Sequence, residues 1–305
     1  MQRVVVGVDG SPESEAALTW AAADAKRRGV PLRVVYAEDP PVSRWLGADG
    51  QADPTAEGGA VQEQEGGGGG DGELPYWPRM CTRTACARAA ELVPGLEIES
   101  EVVPEETVRA LVAEGERAGE LVIGSRALDR ISRFVLGSVG LPVIGHSTAP
   151  VVAVRTGAEQ VSPEAPVVAA VDLHHTYDPV LGFAFEAAAV RGARLRVVHA
   201  WSVRALYSYP SALPEPAVVE QAASGAQHSL EQAVRPWQER FPEVTAEIET
   251  ATGAVAPYVL DSSADAALLV VGRLLREHHL PVPVGPVTHA VLHHAPCPVA
   301  VVPHR

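Results

Sequence analysis

An aspartate, a set of spaced glycines and a Gly-Ser pair are the residues of this chain best suited to chemistry. Asp9 closes the apolar run Val4-Val5-Val6-Gly7-Val8. Ile123-Gly124 closes another, followed by Arg126-Ala127 and then by Gly137-Ser138-Val139. A glycine loop whose backbone N–H groups face one point, with a serine hydroxyl where a helix begins, holds an anion. A carboxylate beside it suits a ribose hydroxyl or an adenine amino group. The combination points to a nucleotide with its phosphates on the loop. Nothing else supplies a placed base or a metal-binding carboxylate pair. The P-loop pattern GxxxxGK[ST], the SGGxDS loop and the HIGH and KMSKS signatures are all absent from the sequence, which disfavours an enzyme.

These residues need elements to position them, and the chain supplies the elements twice. An offset of 148 residues carries Gly124 to Gly272, Gly137 to Gly285, His146 to His294 and Pro150 to Pro298. Nearer the start of each half the offset is 163, taking Asp9 to Asp172 and Gly29 to Gly192. Such register is an internal duplication. Short apolar runs at 3–9, 32–37, 96–103, 120–124 and 150–154 read as strands, repeated at 167–172, 195–200, 245–250, 267–272 and 298–302. Helical patterns lie between them, among them 80–92, 105–118 and 138–146. Ser11-Pro12-Glu13 forms a helix start and Gly29 a helix end. Continuous apolar strands alternating with helices give an α/β fold with parallel sheets covered on both faces. In such sheets ligands bind beyond the carboxyl ends of the strands, where Asp9 and Gly124 both fall.

The 15-residue drop in offset marks an insertion in the first half. Residues 47–72 are rich in Gly, Ala, Gln, Glu and Asp and include Gly66–Gly70. Such a segment buries too little apolar surface to offset its ordering entropy, so a flexible loop without chemistry is expected. The domains are expected at 1–156 and 166–305, joined by a linker. The chain has 305 residues, enough for two domains with cores of their own. A formal net charge of −14 opposes nucleic acid and anionic membrane surfaces. Three cysteines without a CxxC pair fit idle thiols of a reducing compartment. With a strand at its start rather than a charged, apolar leader, the chain is expected to be cytoplasmic.

The frame G-x2-G-x9-G-[S/T], set between an apolar strand and a helix with a Pro-Val strand beyond, resembles the ATP-binding signature of the universal stress protein family. Val6-Gly7-Val8-Asp9-Gly10-Ser11 is similar to that family's opening strand and loop. The resemblance covers both halves apart from the insertion. It implies a tandem protein of two five-stranded, adenine nucleotide alpha-hydrolase-like (Rossmann-like) domains with strand order 3-2-1-4-5. The two fifth strands would pair as an intramolecular pseudo-dimer, with self-association of whole chains left open. It also implies a cytoplasmic regulator that binds ATP, alone or with Mg²⁺. Val8 and Asp9 would meet adenine and ribose, and Ala37 the base. Ile123 and Gly124 would flank ribose and phosphates, and Gly137, Ser138 and Val139 would bind phosphate.

The chain departs from that pattern in both halves. The second glycine of the motif is Ala127, whose methyl group costs on the order of 1 kcal/mol where a left-handed backbone is wanted. Arg126 and Arg130 offer phosphate donors, although solvated loop arginines explain them as well. In the second half the middle glycine is Leu275 and the serine is Pro286, which lacks an N–H. Leu173-His174-His175 follows Asp172 where Gly10-Ser11-Pro12 follows Asp9. A degenerate second site is therefore expected. His174, His175, His278, His279, His289, His293 and His294 cluster in that half, but without an accompanying ligand spacing, so no metal is expected. His146 and His294 share a repeat position where capping of a helix end is the simpler role. A scaffold that binds nothing and a slow ATPase stay open beside the nucleotide-binding regulator.

Overall fold

A computed structural model describes residues 3–38, 76–125, 138–158, 162, 164–202, 215–275 and 284–305. The insertion 47–72, Arg126, Ala127, Arg130, Gly137, His278 and His279 lie outside the described residues. The first half runs β1 (Val4–Gly7), α1 (Pro12–Arg28), β2 (Leu32–Ala37), α2 (Tyr76–Leu92) and β3 (Ile98–Val103). It continues through α3 (Thr107–Glu116), β4 (Glu120–Ser125), α4 (Gly140–His146) and β5 (Val151–Arg155). The second half repeats the plan with β6 (Val167–Ala170), α5 (Asp178–Arg191), β7 (Leu195–Trp201), α6 (Pro216–Arg240) and β8 (Ala246–Thr252). It closes with α7 (Val255–Ser262), β9 (Leu268–Leu274), α8 (Pro286–His294) and β10 (Val299–His304).

The strands form one sheet in the order β3-β2-β1-β4-β5-β10-β9-β6-β7-β8. Each half therefore has the order 3-2-1-4-5 in its own count. All pairings are parallel except β5 with β10, which is antiparallel with Ala300 opposite Val152. The two fifth strands thus meet, as their short apolar sequences at the sheet edges suggest. Alternate strand residues feed different faces. Val4 and Val6 join a core under α1, α2, α5 and α6, while Val5 joins one with α3, α4, α7 and α8. Both cores run across the seam between the halves.

Local signals act as expected at α1. The Ser11 hydroxyl accepts from the Ser14 N–H at 3.2 Å, Pro12 occupies the first turn, and Gly29 closes the helix at φ 65°. Gly192 closes α5 in the same way at φ 60°. Other boundaries differ from the sequence expectation. Helix α2 begins at Tyr76 rather than at residue 80, because a proline such as Pro78 is tolerated in a first turn. Helix α4 begins at Gly140, so Ser138 lies in a turn before the helix and not at its start. No helix among the described residues is long and apolar enough to cross a membrane.

The seam is also held by side chains. Arg28 of α1 lies over the Phe183 ring of α5, and Arg191 of α5 lies over the Trp20 ring of α1, each at 5.4 Å from the ring centroid. These pairs are related by the offset of 163. Asp24, fully buried, accepts from Arg28 Nε at 2.5 Å and from Arg191. Glu120 is 3.0 Å from Arg28 and also buried. Burial first, and the Asp24 carboxylate next, hold the Glu120 carboxyl up at about 8. Two further arginines reach across the seam to helix ends. Arg155 donates to the Leu292 carbonyl at 2.6 Å, and Arg273 donates to those of Gly145, at 2.9 Å, and Ser147.

Candidate functional site

Strand register sets the site. Val6 pairs with Val122 and Gly7 with Val35, so Val8, Asp9, Ala37, Ile123 and Gly124 stand near one level at the carboxyl edge of β1, β2 and β4. Val8 continues the ladder by donating its N–H to the Val35 carbonyl at 2.9 Å. Asp9 is exposed. Its Oδ1 accepts from the Ser11 N–H at 2.9 Å and from the Ser11 hydroxyl at 2.5 Å. Gly10 sits between them at φ 82°, a conformation that favours glycine.

Gly124 has a packing reason to be glycine. A Cβ there would lie 2.6 Å from the Glu13 carbonyl carbon and 2.9 Å from the Ser14 nitrogen. The first turn of α1 thus rests directly on the exit of β4. The same turn carries Ser11, which orients Asp9. Ser138 and Val139 precede α4, while Arg126, Ala127 and Gly137 fall outside the described residues, so the loop between them is known from sequence alone.

Trp77 went unnoticed in the sequence. It is 58% exposed, on the first turn of α2, and its ring would lie 3.3 Å from a Cβ at Gly10. It therefore borders the Asp9 turn. Beginning the helix at residue 80 left it in a loop; the Tyr76-Trp77-Pro78 triplet was the available signal. Cys81, next to it on the helix, is buried, and burial pushes its thiol up.

In the second half, register places Asp172 and Ala200 at the corresponding edge with Gly272. Asp172 accepts from the His174 N–H at 3.0 Å and lies 3.0 Å from His175 Nδ1. Burial raises this carboxyl, but those two contacts outweigh it and leave the group below its ordinary value. Over Gly272 lies a side chain, not a helix backbone: a Cβ there would be 2.7 Å from His304 Nε2. Helix α8 begins with Gly285 as its cap and Pro286 in the first turn, with no side-chain cap. A cavity of about 920 Å³ opens among these residues.

Among the described residues, His174, His175, His199 and His304 line this cavity. His199 Nδ1 is 2.8 Å from the Val171 carbonyl, and His289 and His293 contact each other on α8. No group of three potential ligands that could hold a metal occurs among the described residues. His146 Nδ1 is 2.7 Å from the Pro142 carbonyl, a contact with the last turn of α4 that fits a capping role.

Comparison with known proteins follows the same division. The model of the Universal stress protein family matches residues 1–155 and again 165–303. Universal stress protein Rv2005c of Mycobacterium tuberculosis (strain ATCC 25618 / H37Rv) is 33% identical over 305 residues, covering 98% of this chain and 96% of its own. Universal stress protein Rv2623 of the same strain is 30% identical, covering 98% and 95%. The crystal structure of a universal stress protein from Archaeoglobus fulgidus DSM 4304 superposes with a TM-score of 0.62 at 15% identity, over 99% of this chain and 98% of that one. The likeness to that structure is one of fold; the family model and the sequence relatives carry membership. The chain belongs to the universal stress protein family, in a form with two tandem domains.

Proposed function

We propose that this chain is a regulatory nucleotide-binding protein that takes ATP in its first domain, residues 1–156. The second domain, residues 166–305, gives up phosphate binding and serves as its pairing partner, a pseudo-dimer within one chain. The observation that carries the reading is the shared level of Val8–Asp9, Ala37 and Ile123–Gly124 at the edge of three adjacent strands, with Asp9 exposed and oriented by Ser11. This arrangement fits the nucleoside end of ATP. The carboxylate can accept from ribose or adenine donors, and the Trp77 ring offers an aromatic face beside the Gly10 turn. Arg126, Ala127, Gly137, Ser138 and Val139 would meet the phosphates, with Mg²⁺ neutralising them when present. The reading assigns no catalytic step and needs neither a membrane nor a nucleic acid.

In the second domain, Pro286 removes an N–H and a hydroxyl where the first has Ser138, and Leu275 replaces the motif's middle glycine. His304 also covers Gly272. The test is acid extraction of the purified full chain followed by nucleotide chromatography, with Mg-ATP titration of the emptied protein. Bound adenine nucleotide, or saturable binding that is lost in Gly137→Pro, is the expected result. Absence of both favours the scaffold reading, and sustained release of phosphate favours the ATPase.

A further inference from the structure

We propose that the cavity of the second domain is a separate binding site for an uncharged, flat heteroaromatic molecule of up to nucleoside size. The space, about 920 Å³, lies at the carboxyl ends of β6, β7 and β9, and falls at the large end of the range for small-molecule sites, roughly 300–1,000 Å³. Its buried walls include Val171, Val198, Val259, Val271 and Val284. The wetter part of the lining carries Tyr177, Trp201, His199 and His304 beside Asp172.

Charge decides the class of ligand. Arg273 is the only lysine or arginine among the described lining residues. Its guanidinium is committed elsewhere, to the Gly145 and Ser147 carbonyls across the seam, and the residue is 5% exposed. Asp172 is the only lining carboxylate among the described residues, and it stays ionised through His174 and His175. With Pro286 opening α8, the cavity offers a phosphate a fixed negative charge and one fewer N–H donor. A cation gains little, because Asp172 is already engaged.

Aromatic groups and polar atoms decide the rest. Trp201 ends β7 on this wall, where the first domain has Glu38. Its indole N–H is buried and has no hydrogen-bond partner among the described residues. His199 donates its Nδ1–H to the Val171 carbonyl at 2.8 Å and so is held on this wall. His304 also lines the cavity, and burial first keeps it below its ordinary value. A purely aliphatic occupant would leave such groups unmatched; a flat heterocycle brings both acceptors and donors on an apolar frame.

The proposal does not depend on ATP binding by the first domain. It is tested on the full chain by equilibrium dialysis with adenosine, guanosine and indole. Asp9→Ala is the background throughout, because it removes the carboxylate that would hold a nucleoside in the first domain; Trp201→Leu and Ala226→Phe are added to it singly, each chain checked for an unchanged melting transition. At least one of the three probes is expected to bind the background chain saturably, with AMP bound at least tenfold more weakly than adenosine. Ala226→Phe, which fills the cavity from α6, and Trp201→Leu are each expected to weaken the binding tenfold or more. Failure of all three probes up to millimolar concentration overturns the proposal. So does binding that survives both cavity variants, or AMP binding as tight as that of adenosine.

Discussion

The two halves of this chain follow one path through space and end it differently. In the first, the exit of β4 is roofed by the backbone of α1, which brings Ser11 onto Asp9. In the second, the exit of β9 is roofed by the His304 ring, and Asp172 turns to His174 and His175. The strands, their register and the glycines that close α1 and α5 recur in both halves, and both cores are built on them. The contact residues at the sheet edge differ. The seam shows the same split: Arg28 on Phe183 and Arg191 on Trp20 keep the internal symmetry. Asp24 and Glu120 break it, since their counterparts are Ala187 and Leu268.

Removing the asymmetric charges should have the largest effect. Asp24→Ala leaves Arg28 and Arg191 with Glu120 as the single buried acid beside them. Loss of one partner from a buried ion pair costs about 3–5 kcal/mol, readable by urea denaturation of the full chain. An unchanged midpoint would mean that the acids are incidental to the seam.

The second effect depends on pH. Glu120 titrates near 8 in the folded chain and near 4.5 when unfolded. Below pH 4.5 it is protonated in both states and contributes no slope. Between those values the folded chain keeps a proton that the unfolded chain has lost, so its contribution to stability falls as pH rises, by up to about 1.4 kcal/mol per pH unit. Glu120→Gln should flatten this slope and gain most above pH 8. A wild type whose stability rises from pH 5 to 8 with the same slope as the variant contradicts the assignment.

Two glycines test the roofs directly. Gly124→Ala drives a methyl group into the backbone of α1, where relief requires the helix to shift, and overpacking of this kind costs about 1–3 kcal/mol. Gly272→Ala meets the far end of the His304 side chain, which can swing aside, so a smaller loss is expected. Thermal melts of the two variants should rank in that order. The smallest effects belong to Ala127 and the insertion. Ala127→Gly should tighten ATP binding by about fivefold, matching relief of about 1 kcal/mol. Deletion of 47–72 should leave the melting temperature nearly unchanged, and ATP affinity equal or slightly higher at low salt.

The architecture was legible because hydrophobic runs and landmark residues repeat in register. Pro12 and Gly29 bound α1 as local rules require. The edge containing Asp9 and Gly124 followed from strand polarity alone. Other features depend on contacts between distant segments. The space over Gly124 is taken by Glu13, and that over Gly272 by His304, neither of which any spacing announces. Trp77 was hidden by a helix start four residues too late, and Ser138 was drawn onto a helix that begins at Gly140. The second cavity was illegible because the sequence shows which phosphate contacts are gone, but not what space their loss leaves.

The central claim is that one chain holds one ATP, in its first domain. Photo-crosslinking of the full chain with 8-azido-ATP, followed by peptide mapping, tests it most directly. Label confined to peptides of residues 1–156, saturating at one per chain and competed by ATP, is the expected result. Label that maps to residues 166–305 and is competed equally well by ATP would contradict it.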